Sequence, residues 1–253
     1  MGKRLGILDE IRGIAYIAMI LYHLYYDIAF VYGHDLPDTV DVIMRFIQPF
    51  IAGTFIFLAG ISSNFSHNNF RRGTLYFFLA MVLTFVTAVA MPSEIILFGV
   101  LHFLGIAAMI YGFIGSFTER IPWLLGLIVF LLLFAVTFNI PRGYMGVDGI
   151  FTVEPPAAMY GHYWLFPLGF TSDSFYSADY FPLIPYLFLF LAGASLGVYF
   201  KAGHAAKGMY MTRFGGLAFI GRHGLWIYML HQPVTIVILE LVFKLTGQGT
   251  LFL

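Results

Sequence analysis

The first hydrophobic stretch of this 253-residue chain, "DEIRGIAYIAMILYHLYYD", carries Asp9, Arg12, His23 and Asp27. An imidazole beside a carboxylate can take up and release a proton near neutral pH, with the carboxylate fixing its tautomer. A guanidinium binds carboxylate or phosphate through a planar fork. On a helix turning ~100° per residue, Asp9 falls near ~180°, Arg12 near ~120°, Tyr16 near ~160°, His23 near ~140° and Asp27 near ~180°, an arc of roughly 60°. His34 falls near ~160° if the helix runs on past Gly33. At 1.5 Å per residue, His23 sits ~24 Å from Ile7 and ~13 Å from Tyr32, with Asp27 one turn further out. Arg12 stays at the other end, too far to pair with His23. The plain alternative is a buried polar pair that only locks helix packing. Ionisable groups in hydrocarbon are costly, however, and usually mark a site or pathway.

Other polar groups stand in apolar surroundings. His102 in "FGVLHFLGI" is expected ~10 Å deep in a fourth segment, at the level of His23. His231 in "GRHGLWIYMLHQP" is expected ~10 Å into the last segment, followed by Gln232 and by Pro233, which frees a backbone carbonyl. Each alone reads as a satisfied core histidine; with His23 they suggest a polar channel. Asn64, Asn68, Asn69, Arg71 and Arg72 cluster after "FIFLAGISS", where amides and arginines suit a phosphate-bearing ligand. Ordinary positive-inside topology explains the arginines equally well. No metal-ligand spacing, phosphate-binding glycine loop or nucleophile elbow is present, so no metal is expected.

The elements that must position these groups follow from composition. The chain is 60% hydrophobic and 10% charged, against about 25% charged in soluble domains. This is a polytopic membrane protein of all-α class. Zero net charge and the lack of a basic run argue against nucleic acid. The absence of cysteine excludes disulfides, thiolate metal sites and an acyl-cysteine. About seven stretches reach the roughly 20 residues a span needs: Ile7–Tyr32, Val42–Ile61, Leu75–Met91, Ile95–Ile114, Ile121–Ile140, Pro182–Phe200 and Gly224–Leu245. With the N-terminus in the cytoplasm, Lys3, Arg4, Arg71, Arg72, Arg120, Lys201, Lys207, Arg213 and Arg222 fall inside. Outside are Arg142 and Lys244, Arg45 just within the outer end of its segment, and Asp35, Asp38, Asp41, Glu94, Asp148, Glu154, Asp173 and Asp179. One loop, 141–181, is long, external and rich in aromatics, either a re-entrant or interfacial piece or an aromatic belt. Without repeats or low-complexity tracts, residues 1–253 read as one domain.

"LDEIRGIAYIAMILYHLYYD", with ten residues between Arg12 and His23, resembles the first catalytic helix of the transmembrane acyltransferase superfamily. With "FIFLAGISS", "LHFLGI", "DYFPLIPYLFLFLAGASLG" and "GRHGLWIYMLHQP", nearly the whole chain resembles the heparan-α-glucosaminide N-acetyltransferase catalytic-domain family in its short bacterial form. The resemblance implies a multi-pass protein of the cytoplasmic membrane that moves an acyl group, acetyl by default, from cytoplasmic acyl-CoA to a hydroxyl or amine of an external sugar. In sugar O-acyltransferase relatives the histidine of this Arg-x10-His pattern is essential, and His23 matches it. The lysosomal member has Asn there and its active histidine eleven residues on, matching His34. The resemblance therefore leaves the base as His23 or His34; the nearness of Asp27 favours His23. In the mechanism expected on that basis, the chemistry of the residues puts Arg12, Asn64, Arg71, Arg72 and His231 toward acyl-CoA, His102 as donor to the oxyanion or leaving thiolate, and Tyr163 and Trp164 against the sugar. Direct transfer and an acyl-His intermediate both stay open, as does oligomerisation. The rival readings are a proton-coupled transporter and a non-catalytic membrane subunit.

Overall fold

A computed structural model describes residues 5–247 and 249–251, so Lys3 and Arg4 lie outside the described residues. Among the described residues seven helices are long and apolar enough to cross a membrane: Gly6–Val31, Asp38–Ser63, Asn69–Ala90, Val100–Thr118, Trp123–Arg142, Leu183–His204 and Gly224–Thr246. The chain is an all-α multi-pass membrane protein. The α-helices are α1 (Gly6–Tyr26), α2 (Asp38–Ser63), α3 (Asn69–Ala90), α4 (Val100–Thr118), α5 (Trp123–Thr137), α6 (Leu183–Tyr199), α7 (Gly215–Arg222) and α8 (Gly224–Thr246).

Two of the boundaries that differ from the sequence reading bear on the candidate residues. The first span leaves α-geometry at Asp27 and finishes as a π-helical turn, Asp27–Val31, closed by Tyr32 N–H donating to the Asp27 carbonyl at 2.8 Å. Gly33, at φ +71°, then turns the chain away, which places His34 in the connection to α2. The fourth helix starts at Val100, five residues later than expected. Pro92 opens a short 3-10 turn, and residues 95–98 then run extended beside 177–181 of the long loop. Ala178 N–H donates to Ile95 O, Phe181 N–H to Phe98 O, and Leu97 N–H to Ser177 Oγ. His102 consequently sits in the first turn of α4, not ~10 Å down it.

The chain divides into two compact units, Met1–Phe55 with Ala205–Leu253, and Ile56–His204. In the first, α1 packs closely on α7: a Cβ on Gly13 would strike the Leu217 backbone, and one on Gly221 the Asp9 carbonyl. Small residues let membrane helices approach so that dispersion and interhelical hydrogen bonds hold them. The buried Glu10 carboxylate accepts from the backbone N–H groups of Arg213 and Phe214, which caps α7 and satisfies donors a helix start leaves open.

In the second unit, the end of α2 meets α6 in the same way. A Cβ on Gly60 would strike the Phe190 carbonyl, and one on Gly193 the Phe57 carbonyl. Helix α5 buries only Gly126 and turns Leu124, Leu125, Ile128 and Leu132 outward, as a lipid-facing helix does. The long loop folds on itself. It holds an antiparallel hairpin, β1 (Met145–Val147) and β2 (Phe151–Val153), and a small core of Ile140, Leu165 and Phe170. Tyr160 donates to the Ile140 carbonyl at 2.7 Å and Tyr180 to the Phe166 carbonyl at 2.6 Å. Burial raises both phenols above their ordinary range, so both stay donors.

Candidate functional site

Within the first unit, α1 and α8 bring His23 and His231 together, ring centroids 4.7 Å apart and edge to face. His23 Nδ1 lies 2.9 Å from the Met19 carbonyl and His231 Nδ1 lies 2.6 Å from that of Tyr228. A carbonyl only accepts, so in each ring Nδ1 carries the hydrogen and Nε2 carries the lone pair. The Nε2 of His231 is buried without a hydrogen-bond partner. Tyr22 stands edge-on to His23 at 5.6 Å, and Tyr228 tilts against His231 at 5.6 Å. In their neutral form, the form in which histidine costs least there, the two imidazoles present basic nitrogens inside a membrane bundle.

Asp27 was expected to hold the His23 ring. Its Oδ1 accepts from Gln232 Nε2 at 3.1 Å, across to α8. The Asp27–Gln232 bond therefore ties α1 to α8 immediately beside the histidine pair. His231, expected toward acyl-CoA, stands against His23.

His34 lies elsewhere. Its ring packs on Phe243 at 4.7 Å, more than three turns beyond His231 on α8, roughly 18 Å along the axis. Near it, Tyr32 donates to the buried Glu240 carboxylate at 2.9 Å, and Leu251 N–H donates to the same oxygen at 2.7 Å. Burial first, then Glu240, raises the Tyr32 phenol above its ordinary range. Sequence reasoning passed over Glu240, although a lone carboxylate in "VILELVF" was a visible signal. At the other end of α1, Arg12 pairs with the buried Asp9 at 2.9 Å.

The second unit holds the other expected residues. Both nitrogens of His102 are engaged: Gly99 N–H donates to Nδ1 at 3.2 Å, and Nε2 faces Thr84 Oγ1 at 3.2 Å. Since Nδ1 accepts, Nε2 bears the hydrogen and donates to Thr84, whose hydroxyl passes to the Ile96 carbonyl at 2.6 Å. That is the work of a helix-start cap, and it leaves His102 no free nitrogen for an oxyanion. Asn64 is a buried cross-link, donating to the Ala194 carbonyl at 2.9 Å and accepting from Tyr111 Oη at 3.1 Å. It lies at the edge of a polar pocket of about 330 Å³ lined by Ser66, Asn68, Asn69, Ser116 and Lys201 among others. Asn69 donates to the Ser63 carbonyl at 2.9 Å, and its Oδ1 is buried without a hydrogen-bond partner. Arg72 donates to Ser63 Oγ at 2.7 Å, while Arg71 is exposed at the start of α3. Tyr163 and Trp164 are exposed on the folded 141–181 segment. Among the described residues no group of three or more His, Cys, Asp or Glu could hold a metal ion.

The family model described as heparan-alpha-glucosaminide N-acetyltransferase, catalytic, matches residues 4–233. The matched stretch runs from the start of α1 to Pro233 of α8, so it contains His23, Asp27, His231 and Gln232. No curated protein and no solved structure matches the chain. With the match covering most of its length, the chain belongs to the heparan-α-glucosaminide N-acetyltransferase catalytic-domain family, a family of acetyltransferases that use acetyl-CoA.

Proposed function

We propose that this protein transfers an acetyl group from cytoplasmic acetyl-CoA to a hydroxyl or amine of a sugar on the outer side of the cytoplasmic membrane. The observation that carries the reading is the state of His23. Its Nδ1–H is held by the Met19 carbonyl, which leaves Nε2 as a base within a membrane-spanning helix. In the reaction His23 Nε2 takes the acceptor's proton as the acceptor oxygen or nitrogen attacks the thioester carbon. The new bond to that carbon forms, the carbon–sulfur bond breaks, and the proton ends on the thiol of free CoA. General-base help of this kind is worth roughly 10²–10⁴-fold. Asp27 is a positioning residue, acting through Gln232 on the α1–α8 contact.

The polar pocket at Asn64 and the exposed Arg71 suit the amides and phosphates of CoA, and Arg72 adds cationic character near the start of α3. The exposed rings of Tyr163 and Trp164 suit a sugar face. The Lys and Arg bias supports a cytoplasmic N-terminus.

The test is purified chain in proteoliposomes with [¹⁴C]acetyl-CoA inside and a sugar acceptor such as glucosamine outside. Label on the sugar supports the reading. Proton-coupled uptake of a small molecule without label transfer replaces it with a carrier.

A further inference from the structure

His231 has an unusual standing: a basic nitrogen buried in the bundle, with its other nitrogen already committed. Its Nδ1–H is given to Tyr228 O, and its Nε2 is buried with no donor facing it. A buried acceptor left unpaired carries a desolvation cost, so such groups in native folds call for an explanation. The neighbouring ring is His23, 4.7 Å away, fixed in the same tautomer by its own helix carbonyl. Each of the two imidazoles thus keeps its Nε2 lone pair. The titratable or charged groups about them are Tyr22 and Asp27 on α1 and Tyr228 on α8. Tyr22 and Tyr228 are phenols, and the Asp27 Oδ1 is engaged with Gln232. Two cations at ring-contact distance in a membrane interior repel strongly, so the pair holds one added proton between them.

We infer that His231 is the second proton carrier of the transfer: its Nε2 receives the proton that His23 takes from the acceptor and delivers it to the departing thiolate. The inference rests on the acetyl-transfer reading above and deepens it. The balance is complete without another reagent. The acceptor's hydrogen passes to His23 Nε2 as the new bond to carbon forms. It moves to the lone pair of His231 Nε2, restoring neutral His23. It then goes to sulfur as the carbon–sulfur bond breaks, restoring neutral His231 and giving free CoA. The Asp27–Gln232 bond, one residue from His231, ties α1 to α8 beside the two rings.

Two measurements on the full chain in nanodiscs test this. The first needs no activity. With [¹⁵N]histidine label, and His23→Gln and His231→Gln to assign the signals, acidification from about pH 8 to about pH 5 should add a single proton shared by the two rings, both Nε2 signals moving together. His231→Gln should change the pH at which His23 moves. Two protons taken up independently, or a His23 titration untouched by His231→Gln, overturns the inference. The second is thiol release from acetyl-CoA with glucosamine as acceptor; the chain has no cysteine, so every thiol that appears is CoA. His231→Gln should lower kcat by about 10²-fold or more, leave the KM for acetyl-CoA nearly unchanged, and regain part of its rate with free imidazole. Wild-type kcat in that variant overturns the role of His231. A wild-type chain that releases no thiol sinks the acetyl-transfer reading instead, and the inference that rests on it falls too; a coupled titration would then stand only as a property of the pair.

Discussion

At the scale of single residues, tautomers separate the candidate histidines. His23 and His231 each spend Nδ1–H on a helix carbonyl and keep a basic nitrogen, whereas His102 has both nitrogens engaged and His34 is packed on Phe243. His23→Ala should therefore abolish acetyl transfer, a loss of roughly 10²–10⁴-fold or more. His34→Ala should keep most of it. Parallel assays of the two variants check this, and the reverse order of effects would move the base to His34. The polar stripe on α1 was legible in the sequence because helical angle follows from residue number. The partner of His23 was not. Periodicity tells which face is polar, but not that a residue 208 positions further along the chain will meet it. Asp27 looked like that partner because it stands one helical turn on, and the bond from Gln232 to its Oδ1 comes from a part of the chain that periodicity does not reach.

At the scale of elements, close approach and buried amides hold the helices. Gly193 lies against the Phe57 carbonyl, with no room for a side chain. Gly193→Leu should destabilise by about 1–3 kcal/mol or more through overpacking, seen as a lower Tm in detergent. Asn64→Ala removes the donor to Ala194 and the acceptor for Tyr111, and should cost about 1–3 kcal/mol. The drop in Tm should appear without acetyl-CoA present, which marks the residue as a cross-link between helices; a variant with wild-type Tm and weakened acetyl-CoA binding would make Asn64 a ligand contact alone. The existence of the seven spans was legible, with ends that moved by up to six residues, because twenty apolar residues in a row have few other uses. The start of α4 was not: residues 95–98 are apolar enough to read as helix, yet they pair with the distant 177–181 segment. The cap that Glu10 places on α7 was likewise invisible, since it joins residues about two hundred positions apart.

At the scale of the whole molecule, seven spans and membership of an acetyltransferase family set the frame, and sidedness gives it direction. The chain's lack of cysteine makes sidedness measurable. A single cysteine at exposed Ser116 should react with an impermeant thiol reagent only from the cytoplasmic side, and one at Trp164 only from outside. Labelling in the opposite sense would invert the proposed path from donor to acceptor. The most direct test of the account is acetyl transfer across the bilayer by the wild-type chain and by His23→Ala, matched for insertion. The account requires label from enclosed [¹⁴C]acetyl-CoA to appear on external glucosamine with the wild type and to vanish with the variant. Full transfer by His23→Ala would contradict it.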